Sequence, residues 1–297
     1  MNITITDKNI YDIMNKGWTT LALPRAFYLL SQKIVTGMEE LSSLPSEDRI
    51  KWSTDRNRHH GDPDENLVMR NGSDKDSKLF FHYRKNSRDQ LENAVPLTSE
   101  EDLWLEQLSA MQDFLHQNAC AVWKALSDYL YMKLRYRMDV RYPLCDRASV
   151  LRVLRYINDP MKEYLAKGHL DLSALTFVLP DMDQSHNPAP GLFLKDPEDI
   201  YIHNDNEMLV FLGIKAEIAS DPTWDPSDPQ GWNGDGALLQ STMHGAAKVD
   251  QSIKHRFTIP YFAHCSIDDE RGNVIGLDDM SIIGKRIAEQ RHPQLFR

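Results

Sequence analysis

Residues 168–181 read Gly168-His169-Leu170-Asp171-Leu172-Ser173-Ala174-Leu175-Thr176-Phe177-Val178-Leu179-Pro180-Asp181, GHLDLSALTFVLPD, and the fold turns on them. Leu175 to Leu179 is a short apolar run closed by Pro180 and Asp181, the pattern of a buried strand. A loop that starts at Gly168 enters this strand, and it carries His169 and Asp171 two residues apart. In an extended chain residues two apart point the same way, so both side chains can converge on one point.

Outward from this stretch, the sequence from Arg147 onward has a period of two. Residues 147–157, 173–179, 200–203, 208–219, 238–249 and 256–264 read as strands separated by turns rich in Pro, Gly and Asp. Several short strands at this spacing favour a sandwich, jelly roll or barrel. Residues 221–236, DPTWDPSDPQGWNGDG, form a turn-rich insertion with Trp224 and Trp232. These two rings either cover the mouth of the β region as a lid or pin the insertion to the surface.

The N-terminal part differs. Asp7 to Asn15 reads as a short helix closed by Gly17, and Trp18 to Pro24 as a strand. A second helix runs from about Arg25 to Leu41, and Ser46 is placed to cap a further short one. Residues 53–90 are rich in charge, Asn, Gly and His; only Leu79 to Lys85 reads as strand, and the rest as exposed, partly mobile loop. The clearest helix has Ser99 as cap and Glu100, Glu101 and Asp102 in its first turn, where the helix dipole favours acids. Leu108, Met111, Leu115, Val122, Leu126 and Leu130 give it one buried stripe, ending near Tyr136. The expected class is α+β. Residues 1–98 form a mixed α/β region with a polar loop at about 53–90; residues 99–297 form a long helix plus a β-rich core, as one compact unit.

A chain of 297 residues with 41% hydrophobic content can bury a sizeable core. Its net charge of -10 argues against a general nucleic-acid binder, which needs clustered Lys and Arg. Cys120, Cys145 and Cys265 make no CxxC motif and fit a reducing compartment. The N-terminal residues lack the basic and apolar regions of a signal peptide, and no apolar run approaches the ~18 residues of a membrane span. The expectation is a soluble, cytoplasmic protein with no nucleic-acid or membrane partner. Oligomeric state is not legible at this level.

His-x-Asp occurs three times, so context must discriminate. His60/Asp62 lies in the polar loop without rigid support. His203/Asp205 falls in a His-Asn-Asp-Asn turn. His169/Asp171 has a strand behind it, and its nitrogen and carboxylate donors suit a divalent transition metal. His244, in LLQSTMHGAAKV across the turn-rich insertion, is the best third ligand. His255 is its competitor, but as the neighbour of Arg256 it faces the other way on a strand. Two His and one carboxylate on one face leave three coordination positions open. Arg256 and Thr258 share a strand face, and Arg is suited to bidentate carboxylate binding. A buried Arg256 needs an anion, which a dicarboxylate would supply, and Tyr156 could offer its phenol to the other end. Arg152 reads as a structural or rim residue, and His186, His203, His255 and His264 as structural.

In order along the chain, Leu151-Arg152-Val153-Leu154-Arg155-Tyr156, His169-x-Asp171-x-Ser173-Ala174-Leu175-Thr176, His244 and Arg256-Phe257-Thr258 resemble the isopenicillin N synthase-like branch of the Fe(II)/2-oxoglutarate-dependent dioxygenases. Asn15-Lys16-Gly17-Trp18-Thr19-Thr20-Leu21 and Leu44-Pro45-Ser46-Glu47-Asp48-Arg49 are similar to that family's opening region. Thr258 replaces the usual Ser and keeps the hydroxyl; Leu154 stands where many plant members have Asn. The resemblance implies a double-stranded β-helix (jelly roll, cupin-like) with Fe(II) on His169, Asp171 and His244. It also implies a 2-oxoglutarate co-substrate anchored by Arg256 and Thr258 with help from Tyr156. Such enzymes use O2 and release succinate and CO2 while oxidising a small-molecule substrate by hydroxylation, desaturation or cyclisation. Retention of Asp171 argues against a halogenase. The alternatives are a non-catalytic jelly roll that binds a small molecule or partner, or an iron oxidase of the same family that does not use 2-oxoglutarate.

Overall fold

The computed structural model describes residues 3–45, 48, 52, 68–71, 78–85, 96–158, 164–196, 200–201, 204–267 and 277–295. Helix α1 (Asp7–Lys16) is set at both ends by its sequence: the Thr6 hydroxyl accepts from the Asn9 N–H, and Gly17 closes it at φ 86°. Gly17 then leads into strand β1 (Trp18–Ala22). Its carbonyl accepts from the Leu212 N–H and the Thr242 hydroxyl. A Cβ at Gly17 would lie 2.4 Å from the Thr242 hydroxyl oxygen, so only glycine fits.

Helix α2 (Arg25–Ser43) crosses the long helix α3 (Ser99–Leu134) where Gly37 lets the Trp104 ring approach. Trp104 Nε1 donates to the Ile34 carbonyl at 3.0 Å. The cap of α3 is Thr98, not Ser99: Thr98 accepts from the Glu101 N–H, and the Glu101 carboxylate accepts from the Thr98 N–H. This reciprocal pair needs the hydroxyl three residues before Glu101, which only Thr98 supplies. Leu108, Met111, Leu115, Val122, Leu126 and Leu130 are all fully buried, as their spacing predicts. Each such leucine contributes about 1.5–3 kcal/mol on leaving water.

The remaining elements in chain order are β2 (Val68–Asn71), β3 (Lys78–Tyr83), α4 (Met138–Arg141), β4 (Val150–Ile157), β5 (Tyr164–His169), β6 (Leu175–Val178), β7 (Met182–Asp183), β8 (Leu192–Leu194), β9 (Ile200–Tyr201), β10 (Glu207–Leu212), α5 (Ile214–Ala219), β11 (His244–Ala247), β12 (His255–Thr258), β13 (Pro260–Ala263) and α6 (Leu277–Arg291). Two antiparallel sheets form the jelly roll. The major sheet runs β1-β10-β6-β13-β4-β12-β7, with β3 on β4 and β2 on β3; the minor sheet runs β5-β11-β8-β9.

Several sequence expectations need correction. Residues 208–219 are not one strand. The chain leaves β10 at Gly213 and turns into α5, and the start of that helix is stitched to the loop after His169. Gly213, Ile214 and Lys215 N–H groups donate to the carbonyls of Ala174, Asp171 and Ser173 at 3.0, 2.8 and 3.1 Å. A Cβ at Gly213 would sit 2.2 Å from the Ser173 carbonyl oxygen. Residues 256–264 are two strands with Ile259 between them, because β12 pairs with β7 and β13 with β6. Within 238–249 only His244–Ala247 is strand. Strand β2 lies inside the segment read as loop, and α6 was not anticipated. Trp224 and Trp232 pin the insertion rather than cover a mouth: both are buried in the main core, and Trp232 Nε1 donates to Asp221 at 2.7 Å. The Ser46 cap, His60/Asp62 and His203 lie outside the described residues. No described helix is long and apolar enough to cross a membrane.

Candidate metal centre and its pocket

His169 is the last residue of β5 and His244 the first of β11, and the register places them directly opposite each other. Their ring centroids are 4.4 Å apart. Asp171 lies on the loop that crosses from the minor to the major sheet. His169 and Asp171 are therefore not neighbours on one strand face; the crossover loop, not the pleat, makes them converge. His169 Nε2 is 3.6 Å from Asp171 Oδ1, and His244 Nε2 is 3.5 Å from Asp171 Oδ2. The three ligand atoms lie within 4.8 Å of one another.

Each group is held from behind. His169 Nδ1 contacts the Lys167 carbonyl at 2.9 Å, and His244 Nδ1 the Thr242 carbonyl at 3.1 Å. A carbonyl can only accept, so each Nδ1 carries a proton and each Nε2 is turned to the centre, where its lone pair is free for a metal once the ring is neutral. The Thr176 hydroxyl donates to Asp171 Oδ2 at 2.7 Å and is joined to the Ser173 hydroxyl at 2.8 Å. Ser173 and Thr176 of the opening stretch thus fix the carboxylate. Phe211 packs on His244 with centroids 4.4 Å apart. Asp171 and His244 are buried, whereas His169 is half exposed.

Burial alone would raise the Asp171 pKa, but the charge of His244 and hydrogen bonds from both imidazoles hold it well below the usual carboxylate range. Burial alone would lower His244, but the Asp171 charge and hydrogen bond hold it above an ordinary histidine. Both shifts express one fact: the centre favours positive charge beside Asp171. Two imidazoles and one carboxylate converging on a point, with an open side, fit a divalent transition ion such as Fe(II).

That open side is a pocket of about 550 Å³, its mouth included, lined by all three of these residues and by Tyr156, Arg256 and Thr258. Arg256 is 2% exposed. Its guanidinium lies over the Tyr156 ring at 4.7 Å, and Nη1 approaches the Pro190 carbonyl at 3.4 Å. Nε is 3.8 Å from Asp181 Oδ2, an ion pair too long to be a hydrogen bond. Arg256 Nε and Asp181 Oδ1 are both buried without a hydrogen-bond partner. Gly191, at φ 137°, leaves room for the guanidinium: a Cβ there would lie 1.6 Å from Nη1. Leu154 also lines the pocket.

The other described histidines lie elsewhere. His255 turns away from Arg256 and meets Arg155 at 2.9 Å. His186 pairs with Glu39 at 2.9 Å. His264 is pushed well below its ordinary pKa, chiefly by burial and then by the charges of Lys215 and Arg84. Sequence reasoning missed Asp181, although it closes the opening stretch; nothing local distinguished it from a turn residue. It also missed Gly191, Gly213 and the inward-facing Lys78, whose roles depend on contacts far along the chain.

No family model matches the sequence, and no curated protein matches it. Solved structures do match in fold. An oxygenase assigned in Shewanella oneidensis superposes with a TM-score of 0.63 at 15% identity, covering 100% of this chain and 98% of that one. A Neurospora crassa protein solved with alpha-KG and 5-formyluracil gives 0.63 at 14% identity, covering 95% and 88%. The dioxygenase for auxin oxidation 1 of Arabidopsis thaliana, in a 2-oxoglutarate complex, gives 0.58 at 14% identity, covering 92% and 98%. The chain has the fold of the 2-oxoglutarate–Fe(II) oxygenases.

Proposed function

We propose that the chain is an Fe(II)- and 2-oxoglutarate-dependent oxygenase that oxidises a small molecule, most simply by hydroxylation. The observation that carries this reading is the placement of a His169–Asp171–His244 triad and a buried, incompletely satisfied Arg256 in the walls of one pocket. His169 Nε2, His244 Nε2 and an Asp171 oxygen would hold the ion. With it, the site would convert 2-oxoglutarate, O2 and a substrate C–H group to succinate, CO2 and an alcohol.

The chain's own residues do the positioning. The Lys167 and Thr242 carbonyls keep both imidazoles in the ligating tautomer. Thr176 keeps Asp171 turned to the centre. Arg256 binds the distal carboxylate of 2-oxoglutarate, Thr258 adds a hydroxyl, and the Tyr156 ring backs the guanidinium from below. The apolar wall of Leu154, Ala166, Leu192 and Ala246 keeps water from the bound acid. The fold shared with proteins solved in complex with 2-oxoglutarate supports the same reading.

The test is aerobic incubation with Fe(II), ascorbate and 2-oxoglutarate, with succinate measured against a metal-free control. The expected result is succinate formation that requires iron and rises with an accepted substrate. No iron-dependent succinate, with or without added small molecules, would reject the reading.

A further inference from the structure

No described residue of α6 lines the pocket, yet this helix meets both chain segments that carry the buried ligands Asp171 and His244. Arg291, its last residue, donates through Nη1 and Nη2 to the two oxygens of Glu217 on α5, the first at 2.9 Å. Glu217 is fully buried. Its carboxylate also accepts from the Ser241 N–H at 2.9 Å and from the Ser241 hydroxyl at 2.6 Å. A carboxylate so far from water depends on these partners, because an unpaired buried charge is strongly destabilising. Gly234, at φ 79°, closes over the pair: a Cβ there would lie 2.7 Å from Arg291 Nη2 and 2.8 Å from Glu217 Oε1.

Ser241 adjoins Thr242, whose carbonyl accepts from His244 Nδ1 at 3.1 Å. Thr242 is itself fixed, its N–H donating to the Leu212 carbonyl at 2.9 Å and its hydroxyl to the Gly17 carbonyl at 2.8 Å. Arg291, Glu217, Ser241 and Thr242 thus connect α6 to one ligand. About two turns earlier on α6, Gly284 lies against Leu172, the residue after Asp171. A Cβ at Gly284 would be 3.3 Å from Leu172 Cδ2. The start of α5 reaches the same loop, where the Ile214 N–H donates to the Asp171 carbonyl at 2.8 Å. One helix therefore touches the Asp171 loop directly and the His244 segment through a buried ion pair.

We propose that α6 is the brace that sets the spacing of Asp171 and His244, with Arg291 as a positioning residue for the metal centre. This rests on the oxygenase reading of the pocket. A metal ion tolerates little error in donor placement, so groups that orient its ligands govern its affinity. Arg286 supplies the control on the same helix. It donates to the Gln230 and Trp232 carbonyls of the insertion and to neither ligand segment.

The experiment titrates the full chain with Co(II) under nitrogen, and the visible absorption of the bound ion reports its ligand geometry. Thermal unfolding of each metal-free chain is followed alongside. Arg291→Gln should weaken Co(II) binding about tenfold and alter the band, Arg291→Lys should recover part of the loss, and Arg286→Gln should stay within about twofold of the wild type. Gly284→Val keeps the ion pair but presses on Leu172; it should weaken Co(II) binding about tenfold without lowering the unfolding temperature, since valine suits a helix better than glycine. If Arg291→Gln does not fold, Gly284→Val decides. Wild-type Co(II) affinity and band in folded Arg291→Gln and Gly284→Val chains overturn the proposal. So does a loss of affinity that merely follows the loss of stability across all the variants, Arg286→Gln included. A wild-type chain that binds no Co(II) would instead sink the oxygenase reading, so the two failures are distinguishable.

Discussion

At the His169–Asp171–His244 end of the pocket, the atoms that do not face the centre are engaged by protein. Both Nδ1 atoms meet backbone carbonyls and Asp171 accepts from Thr176. At the Arg256 end, by contrast, Arg256 Nε and Asp181 Oδ1 are buried with no hydrogen-bond partner. A buried charged group left short of partners costs on the order of 1–3 kcal/mol. The first end is preorganised by its own chain, as the proposed metal site requires. On the function proposed above, Arg256 at the second end would be completed by an anion brought from outside. Under that function, the contrast would separate a resident metal from a co-substrate that comes and goes with each turnover.

Substitutions can break this contrast from either side. The largest effect belongs to Asp171→Ala, which removes a ligand and leaves two imidazoles without a counter-charge. Fe(II) affinity, measured by equilibrium dialysis under nitrogen, should fall by more than about a hundredfold, beyond the loss expected from removing an outer partner. Next is Arg256→Gln. The apparent KM for 2-oxoglutarate should rise about a hundredfold, the value of one charge-assisted interaction, with Fe(II) affinity unchanged. A parallel loss of both affinities would show that the two ends are not independent. Thr176→Val is the smallest of the three. It keeps shape but removes the hydroxyl that holds Asp171, and should weaken Fe(II) binding about tenfold while leaving the 2-oxoglutarate dependence of the metal-saturated enzyme in place.

How much of this the sequence carries depends on the range of the interaction. The α3 stripe, the Gly17 stop and most of the strand read at residues 147–157, of which Val150–Ile157 is strand, are local patterns, and they match the structure. The Thr98 cap was displaced by one residue because two hydroxyl residues adjoin and only the reciprocal bond to Glu101 selects between them. The helix at Ile214–Ala219 was hidden because a buried helix and a buried strand are equally apolar over six residues. Gly213 decides it, through contacts with a loop forty residues earlier in the chain.

The site shows the same limit. Residue types and order pointed to His169, Asp171 and His244, but the reason given for their convergence, a shared strand face, is not the one the structure uses. His169 closes a strand of the minor sheet, and Asp171 sits on the crossing to the major one. Asp181 and Arg256 meet only because β12 and the end of the opening stretch are neighbours in space.

The most direct test of the account is an anaerobic titration of the Fe(II)-loaded chain with 2-oxoglutarate, followed by visible absorption. The account predicts a weak charge-transfer band that saturates near one equivalent in the wild-type chain and requires far more 2-oxoglutarate in Arg256→Gln. A wild-type chain that binds Fe(II) but develops no band at any 2-oxoglutarate concentration would contradict it.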